Sequence, residues 1–249
     1  MNKEILKIEN VTVNFGGLTA LENINLELYE NSLLGFIGPN GAGKTTLVKV
    51  ISGLIQPTVG NVFLNNINIT KYPTFKRIHL GISLAQQIVK PMHQMTLLDN
   101  VTIAFGKDKL LSPFKAFYKS NKEQEVEKAY FMLKKVGLDK VAKNYPSEVP
   151  LGFLKRLELA RSLATNPKVL LLDEPLAGLS KNEAHEMADL ILSLCKPGLA
   201  ILLIEHNLEQ VLRISKKIYV QSNGKGLAIG KTKKVMENRK VREAYLGKI

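Results

Sequence analysis

The 249-residue chain has a single cysteine, Cys195, in the apolar stretch Leu190-Ile-Leu-Ser-Leu-Cys195. Without a second thiol there is no disulfide framework, and these surroundings suit a small core residue rather than a nucleophile or metal ligand. A reducing compartment is expected. Long apolar runs are missing too. Leu199-Ala-Ile-Leu-Leu-Ile204 is among the longest, far short of the ~20 residues that cross a bilayer. The opening Met1-Asn-Lys-Glu-Ile-Leu-Lys-Ile8 is polar and alternates like a strand, unlike a signal peptide. A soluble protein is expected, with any membrane role reached through a partner. Acidic residues are scarce: 22 Asp and Glu stand against 35 Lys and Arg, a net charge of +13, with basic concentrations around 107–122 and 231–234. Such an excess suits nucleic acid or anionic lipid, or simply a lysine-rich solvated surface. No aromatic-interleaved RNA-binding pattern or helix-turn-helix is present, so no nucleic-acid partner is expected. Internal repeats and linkers are absent as well.

What is there is ordinary globular composition, 45% hydrophobic and 23% charged, enough for one large domain or a domain with a subdomain. Leu6-Lys-Ile-Glu-Asn-Val-Thr-Val13 and Ile24-Asn-Leu-Glu-Leu28 alternate apolar and polar residues and read as half-buried antiparallel strands. Residues 33–37, 169–172 and 200–204 are continuous apolar runs, expected of strands covered on both faces. Helices are predicted over 44–53, ending at Gly53, and over 182–194, stopping before Pro197-Gly198. In the middle, the capping-box pattern Thr96-Leu-Leu-Asp99 opens a helix to about Phe105, and Ser120-Asn-Lys-Glu123 opens another to Val136. A third helix is predicted over 153–165. The alternation implies an α/β fold with a mostly parallel central sheet. The expected division is an α/β core over about 1–87 and 161–230, a helical subdomain over about 88–160 and a short tail over 231–249.

Two motifs carry chemistry. Gly38-Pro-Asn-Gly-Ala-Gly-Lys-Thr-Thr46 follows the apolar run Leu33-Leu-Gly-Phe-Ile37 and precedes Leu47-Val-Lys-Val-Ile51, the strand–GxxxxGK[ST]–helix context of a phosphate-binding loop. Small residues let the backbone curl so that successive N–H groups point at phosphate oxygens, and the helix N-terminus adds partial positive charge. Gly38, Pro39, Asn40, Gly41, Ala42, Gly43, Lys44, Thr45 and Thr46 are the nucleotide-binding candidates, with Lys44 reaching the β- and γ-phosphates and Thr45 a Mg²⁺ ion. The second motif, Val169-Leu-Leu-Leu-Asp173-Glu174-Pro175, delivers two adjacent carboxylates to the C-terminal end of a buried strand, where open α/β sheets bind ligands. Asp173 suits the outer shell of Mg²⁺, and Glu174 can accept a proton from an attacking water.

With both motifs in place, the chain resembles the ATP-binding cassette ATPases, the nucleotide-binding subunits of transporters, over essentially its whole length. The resemblance implies a P-loop NTPase fold with a RecA-like core, an antiparallel β subdomain and an inserted helical subdomain. By that likeness Phe15 sits against the adenine, and Gln87 in Ala85-Gln-Gln87 contacts Mg²⁺ and water and senses the membrane partner, with Gln86 its neighbour in register. His206, following Glu205, matches the histidine that hydrogen-bonds the γ-phosphate. Ala177-Gly-Leu-Ser180 falls in the loop facing a second subunit, with Ser where the family often has Asp. The family's Leu-Ser-Gly-Gly-Gln signature corresponds to Val149-Pro-Leu-Gly-Phe153, so that Pro150, Leu151, Gly152 and Phe153 face the nucleotide of a partner cassette. Pro150 offers neither hydroxyl nor N–H, and Phe153 replaces the glutamine.

Further details, among them Phe15-Gly-Gly-Leu-Thr-Ala20, Ile204-Glu-His206 and Val241-Arg-Glu-Ala-Tyr-Leu-Gly247, are similar to the ATPases of branched-chain amino-acid importers. Urea importers and lipopolysaccharide-export ATPases share much of the pattern, and a weakly hydrolysing regulatory subunit is the remaining alternative. The resemblance implies ATP and Mg²⁺, permease subunits, a second cassette of the same or another kind, an extracytoplasmic solute-binding protein acting indirectly, and a place on the cytoplasmic face of the membrane.

Overall fold

The computed structural model describes residues 3–106 and 122–246. Along the chain run β1 (Glu4–Phe15), β2 (Leu18–Tyr29), β3 (Leu33–Ile37), α1 (Lys44–Ser52), β4 (Val59–Leu64), β5 (Ile67–Asn68), α2 (Thr74–Leu80) and β6 (Ile82–Ala85). The helices α3 (Leu97–Phe105), α4 (Lys122–Lys135) and α5 (Leu151–Ala164) come next, then β7 (Val169–Asp173), α6 (Lys181–Leu194), β8 (Ala200–Ile204) and α7 (Leu208–Ile214). The chain continues with β9 (Lys217–Ser222), β10 (Lys225–Lys231), α8 (Thr232–Met236) and α9 (Arg239–Leu246).

The strands form two sheets, an antiparallel one in the order β2-β1-β4-β5 and a six-stranded one in the order β10-β9-β3-β8-β7-β6. In the larger sheet only the β9–β10 hairpin is antiparallel. The three continuous apolar runs are its central strands, buried at every position. Their side chains alternate between two cores. Leu33, Ile37, Leu170, Leu172, Ile201 and Leu203 face the helical layer of α3 to α7. Leu34, Phe36, Val169, Leu171, Leu202 and Ile204 face α1 and the antiparallel sheet. The period-2 alternation of strand side chains thus splits one apolar run between two cores. Because β3, β8, β7 and β6 are parallel neighbours, the residues after each emerge along one edge: Gly38, Glu205, Glu174 and Gln86.

Local chemistry sets the helix ends. Thr96 and Asp99 form the expected capping box at α3, and Ser180 with Glu183 forms another at α6. Gly53 closes α1 at φ 80°, where a side chain would be strained. The predicted opening of α4 at Ser120 lies outside the described residues, as does Gly247 at the chain end. Helix α5 corrects the expectation of a start at Phe153: Pro150 is its N-cap, and Leu151 and Gly152 already lie in the first turn. The fixed φ of proline suits the entry to a helix, so the proline starts the helix earlier rather than delaying it. On the other side, Arg77 of α2 is fully buried, and among the described residues no carboxylate pairs with it. Its guanidinium donates to the carbonyls of Val50, Ile51, Thr70 and Tyr72 at 2.6–2.9 Å, closing the C-terminus of α1. Among the described residues no helix is long and apolar enough to cross a membrane.

Candidate functional site

The loop after β3 is wedged between two strands. A Cβ on Gly43 would lie 2.6 Å from the Ala20 carbonyl and 2.7 Å from Gln221 Nε2, and one on Gly38 would lie 2.2 Å from the Gln221 carbonyl. Gly43 is also left-handed, at φ 98°, so glycine is required there on both counts. The Ala42 carbonyl accepts from Gln221 Nε2 at 2.6 Å and from the Gly224 N–H at 3.0 Å. A trans peptide points its N–H opposite to its C=O; holding that carbonyl against the β9–β10 hairpin therefore turns the Gly43 N–H the other way. Asn40, Gly41 and Thr45 are exposed, Pro39 and Thr46 half-buried. Lys44 opens α1, is buried, and donates from Nζ to the Gly38 and Pro39 carbonyls at 2.8 and 3.0 Å. Burial lowers its pKa, against the charges of Glu174 and Asp173. An ammonium held inside a curl of backbone, at the start of a helix, is a receptor for a polyanion.

Three strand ends converge on Glu174. Its backbone is left-handed, at φ 51°, an uncommon state for a non-glycine residue that recurs at functional sites. Its carboxylate accepts the Gln87 side-chain amide, and the imidazole Nε2 of His206 lies 2.5 Å from its other oxygen. Asp173, the last residue of β7, is 7% exposed. Burial raises its pKa, followed by the Glu174 charge, while Lys44, Lys49 and His206 oppose the shift. Its buried Oδ1 has no hydrogen-bond partner among the described residues. A buried carboxylate oxygen left over at a polyanion receptor fits Mg²⁺ or a water of its shell. Among the described residues no group of three or more His, Cys, Asp or Glu could hold a metal, and Mg²⁺ in such sites commonly relies on one carboxylate and phosphate oxygens.

Three side chains that sequence reasoning had not singled out support this constellation. Lys155 Nζ, on α5, donates to the Gln87 carbonyl at 2.6 Å and the Glu174 carbonyl at 3.3 Å. Glu205 accepts from the Leu176 N–H at 2.7 Å and the His206 N–H at 3.2 Å, and burial raises its pKa to about 7. Gln221 completes the phosphate loop from β9. The signal for Gln221 was a polar residue two places after Tyr219 on a strand whose neighbours point into the core.

The remaining candidates lie elsewhere in the fold. Phe15 is 49% exposed at the turn joining β1 and β2. Pro150 caps α5 through its carbonyl, which accepts from Phe153 and Leu154. Leu151 is exposed, Phe153 is half-buried against the helical core, and Gly152 is buried. A Cβ on Gly152 would meet Glu183 Oε1 at 3.0 Å, and one on Gly178 would meet Leu151 Cδ2 at the same distance. The first turn of α5 therefore packs on the loop that follows the acidic pair. Ser180 ends that loop as the cap of α6.

Comparison with known proteins follows the same lines. The ABC transporter family model matches residues 21–177. The high-affinity branched-chain amino acid transport ATP-binding protein LivG of Escherichia coli (strain K12) is 34% identical over 253 residues, covering 99% of each chain. The crystal structure of the ADP conformation of MJ1267, an ATP-binding cassette of an ABC transporter, superposes with a TM-score of 0.86 at 33% identity, over 98% of this chain and 99% of that one. The dimeric structure of MJ0796, a bacterial ABC transporter cassette, gives a TM-score of 0.79 at 25% identity, over 92% and 99%.

Proposed function

Because this chain belongs to the ABC transporter family and is an ATP-hydrolysing cassette of it, we propose that it powers the import of branched-chain amino acids. The observation that carries the catalytic part is the convergence of Gln87, Glu174 and His206 beside the unpartnered Asp173 oxygen. In this reading the main chain of residues 38–46 and Lys44 hold the triphosphate, and Phe15 meets the base. Thr45, Asp173 and Gln87 are the residues that would hold Mg²⁺, which when bound neutralises charge on the β- and γ-phosphates. Glu174 takes a proton from water as its oxygen attacks the γ-phosphorus, and the bond to the β-phosphate oxygen breaks to give ADP and phosphate. Gln87 and His206 orient the Glu174 carboxylate, and in this reading His206 also hydrogen-bonds the γ-phosphate. Catalysis is then positioning and fixed charge, with Lys44 countering the negative charge that develops.

Two cassettes pair head to tail in the proposal, each α5 N-terminus facing the other's nucleotide across Gly152. Nucleotide bridges two surfaces in that pair, and its hydrolysis releases them. Pro150 supplies no side-chain cap or hydroxyl to that contact, which favours a second, different cassette as the partner. The helical subdomain of 88–160 would meet the permease, whose solute-binding protein acts from the other side, and the cassette would lie on the cytoplasmic face. Substrate choice is supported by relatives such as LivG. Uptake of labelled leucine, isoleucine and valine tests it. Cells carrying Lys44→Ala in place of the wild-type chain should lose that uptake; undiminished uptake of all three would remove the assignment.

A further inference from the structure

One face of α5 grips the loop that carries Gln87. Lys155, Glu158 and Arg161 follow at three-residue spacing, which keeps them on one side of the helix. Lys155 Nζ donates to the Gln87 carbonyl at 2.6 Å and Arg161 donates to the Lys90 carbonyl at 3.1 Å, while the Gln86 main-chain N–H faces the Glu158 carboxylate and favours its charged form. Arg161 also donates to Glu158 at 2.9 Å, tying the group together. Among the described residues the main chain of Gln86–Lys90 makes no hydrogen bond to other main-chain groups. The position of this loop is therefore set by side chains of α5 rather than by β6, from which it emerges. Lys155 reaches the Glu174 carbonyl as well, so one buried ammonium holds the backbones of two residues whose side chains touch each other.

We propose that Lys155, Glu158 and Arg161 are positioning residues that lock Gln87 to α5, so that a displacement of the α5 N-terminus moves the Gln87 amide relative to Glu174. The inference rests on the proposed function for its kinetic consequence, though the clamp itself is a statement about the loop. A helix transmits displacement along its axis, and the turn formed by Pro150 to Phe153 lies just before Lys155. The clamp thus joins the turn assigned to a partner's nucleotide with the hydrolysis machinery of its own chain. A misplacement of about 1 Å in such machinery costs roughly 100-fold in rate. Among the described residues none of the clamp's hydrogen bonds or ion pairs reaches residues 38–46, so ATP affinity should be left alone.

The test uses the full chain with Lys155→Met, Lys155→Arg, Arg161→Ala, Gln87→Ala and the Lys155→Met/Gln87→Ala double variant. Amide hydrogen exchange over residues 86–90 should rise in Lys155→Met and, less, in Arg161→Ala, and Lys155→Arg should restore protection. The kcat for ATP should fall about 10- to 100-fold in Lys155→Met with KM changed less than about threefold. The loss in the double variant should fall well short of the product of the two single losses, because both changes remove the positioning of Gln87, with the Glu174 carbonyl contact the only part of Lys155 left to lose among the described residues. Unchanged exchange in both Lys155→Met and Arg161→Ala, or losses that multiply in the double variant, would overturn the clamp. If Lys155→Met does not fold, Arg161→Ala at the rim and Lys155→Arg decide the matter through the same exchange measurement. Lack of ATP hydrolysis by the wild-type chain would count against the proposed function, while exchange over 86–90 would still decide the clamp.

Discussion

Glu205 should make this protein lose stability as the pH rises through neutrality, and Glu205→Gln should abolish that loss. Glu205 is 3% exposed. Burial is the main cause that raises its pKa from 4.5 to about 7, with the Glu174 charge adding to it, against the N–H groups of Leu176, Asn207 and His206. The folded chain therefore holds this proton more tightly than the unfolded one does. The stabilisation is complete below about 4.5 and disappears as the pH passes through about 7. The shift, about 7 less 4.5, is about 2.5 units, worth roughly 3 kcal/mol when fully expressed, most of it between pH 5 and 8. Glutamine keeps an acceptor for the Leu176 N–H and carries no charge at any pH. Urea unfolding of the two proteins at pH 5, 6, 7 and 8 measures the difference. The variant should gain on the wild type by about 2–3 kcal/mol across that range. Parallel curves would mean that Glu205 is not held out of water in the folded state, and the reasoning would fail.

Gly43→Ala places a methyl 2.6 Å from the Ala20 carbonyl at φ 98°, a strain of about 2–4 kcal/mol from overpacking and left-handed backbone together. The melting temperature should fall and ATP retention should be lost; a variant binding ATP like the wild type would show that the loop is less tightly wedged than its contacts indicate. Arg77→Met leaves the carbonyls of Val50, Ile51, Thr70 and Tyr72 without their donor, and should cost about 3 kcal/mol in urea unfolding. A loss under about 0.5 kcal/mol, the range of ordinary surface substitutions, would contradict the role given to Arg77 in closing α1.

Periodicity found the elements whose causes are local. The runs at 33–37 and 200–204 are strands at those bounds, and the run at 169–172 extends by one residue to Asp173. The capping box at Thr96 placed the start of α3 because its reciprocal bonds lie within four residues of chain, whereas the one at Ser180 and Glu183 was not read from the sequence, and α6 begins at Lys181, one residue before its predicted start. The antiparallel strands run longer than their alternating stretches, 4–15 and 18–29 against 6–13 and 24–28, since pairing continues past the buried positions. Strand β5, of two residues, has no periodicity to detect. At the site, the phosphate loop and acidic pair were visible as contiguous motifs, whereas Lys155, Glu205, Arg77 and Gln221 act on groups far away in sequence. Lys155 reads as one more charge on an amphipathic helix until the Gln87 and Glu174 carbonyls are placed beside it. The resemblance named His206 for the γ-phosphate, and the fold adds that its imidazole lies against Glu174.

The most direct test compares magnesium-dependent ATP retention and hydrolysis in the wild-type chain, Glu174→Gln and Lys44→Ala. Glu174→Gln should retain ATP as the wild type does while turnover falls by roughly 10²- to 10⁴-fold, the worth of a general base, and Lys44→Ala should release the nucleotide. Turnover at the wild-type rate in Glu174→Gln, or no retention of ATP by the wild-type chain, would contradict the account.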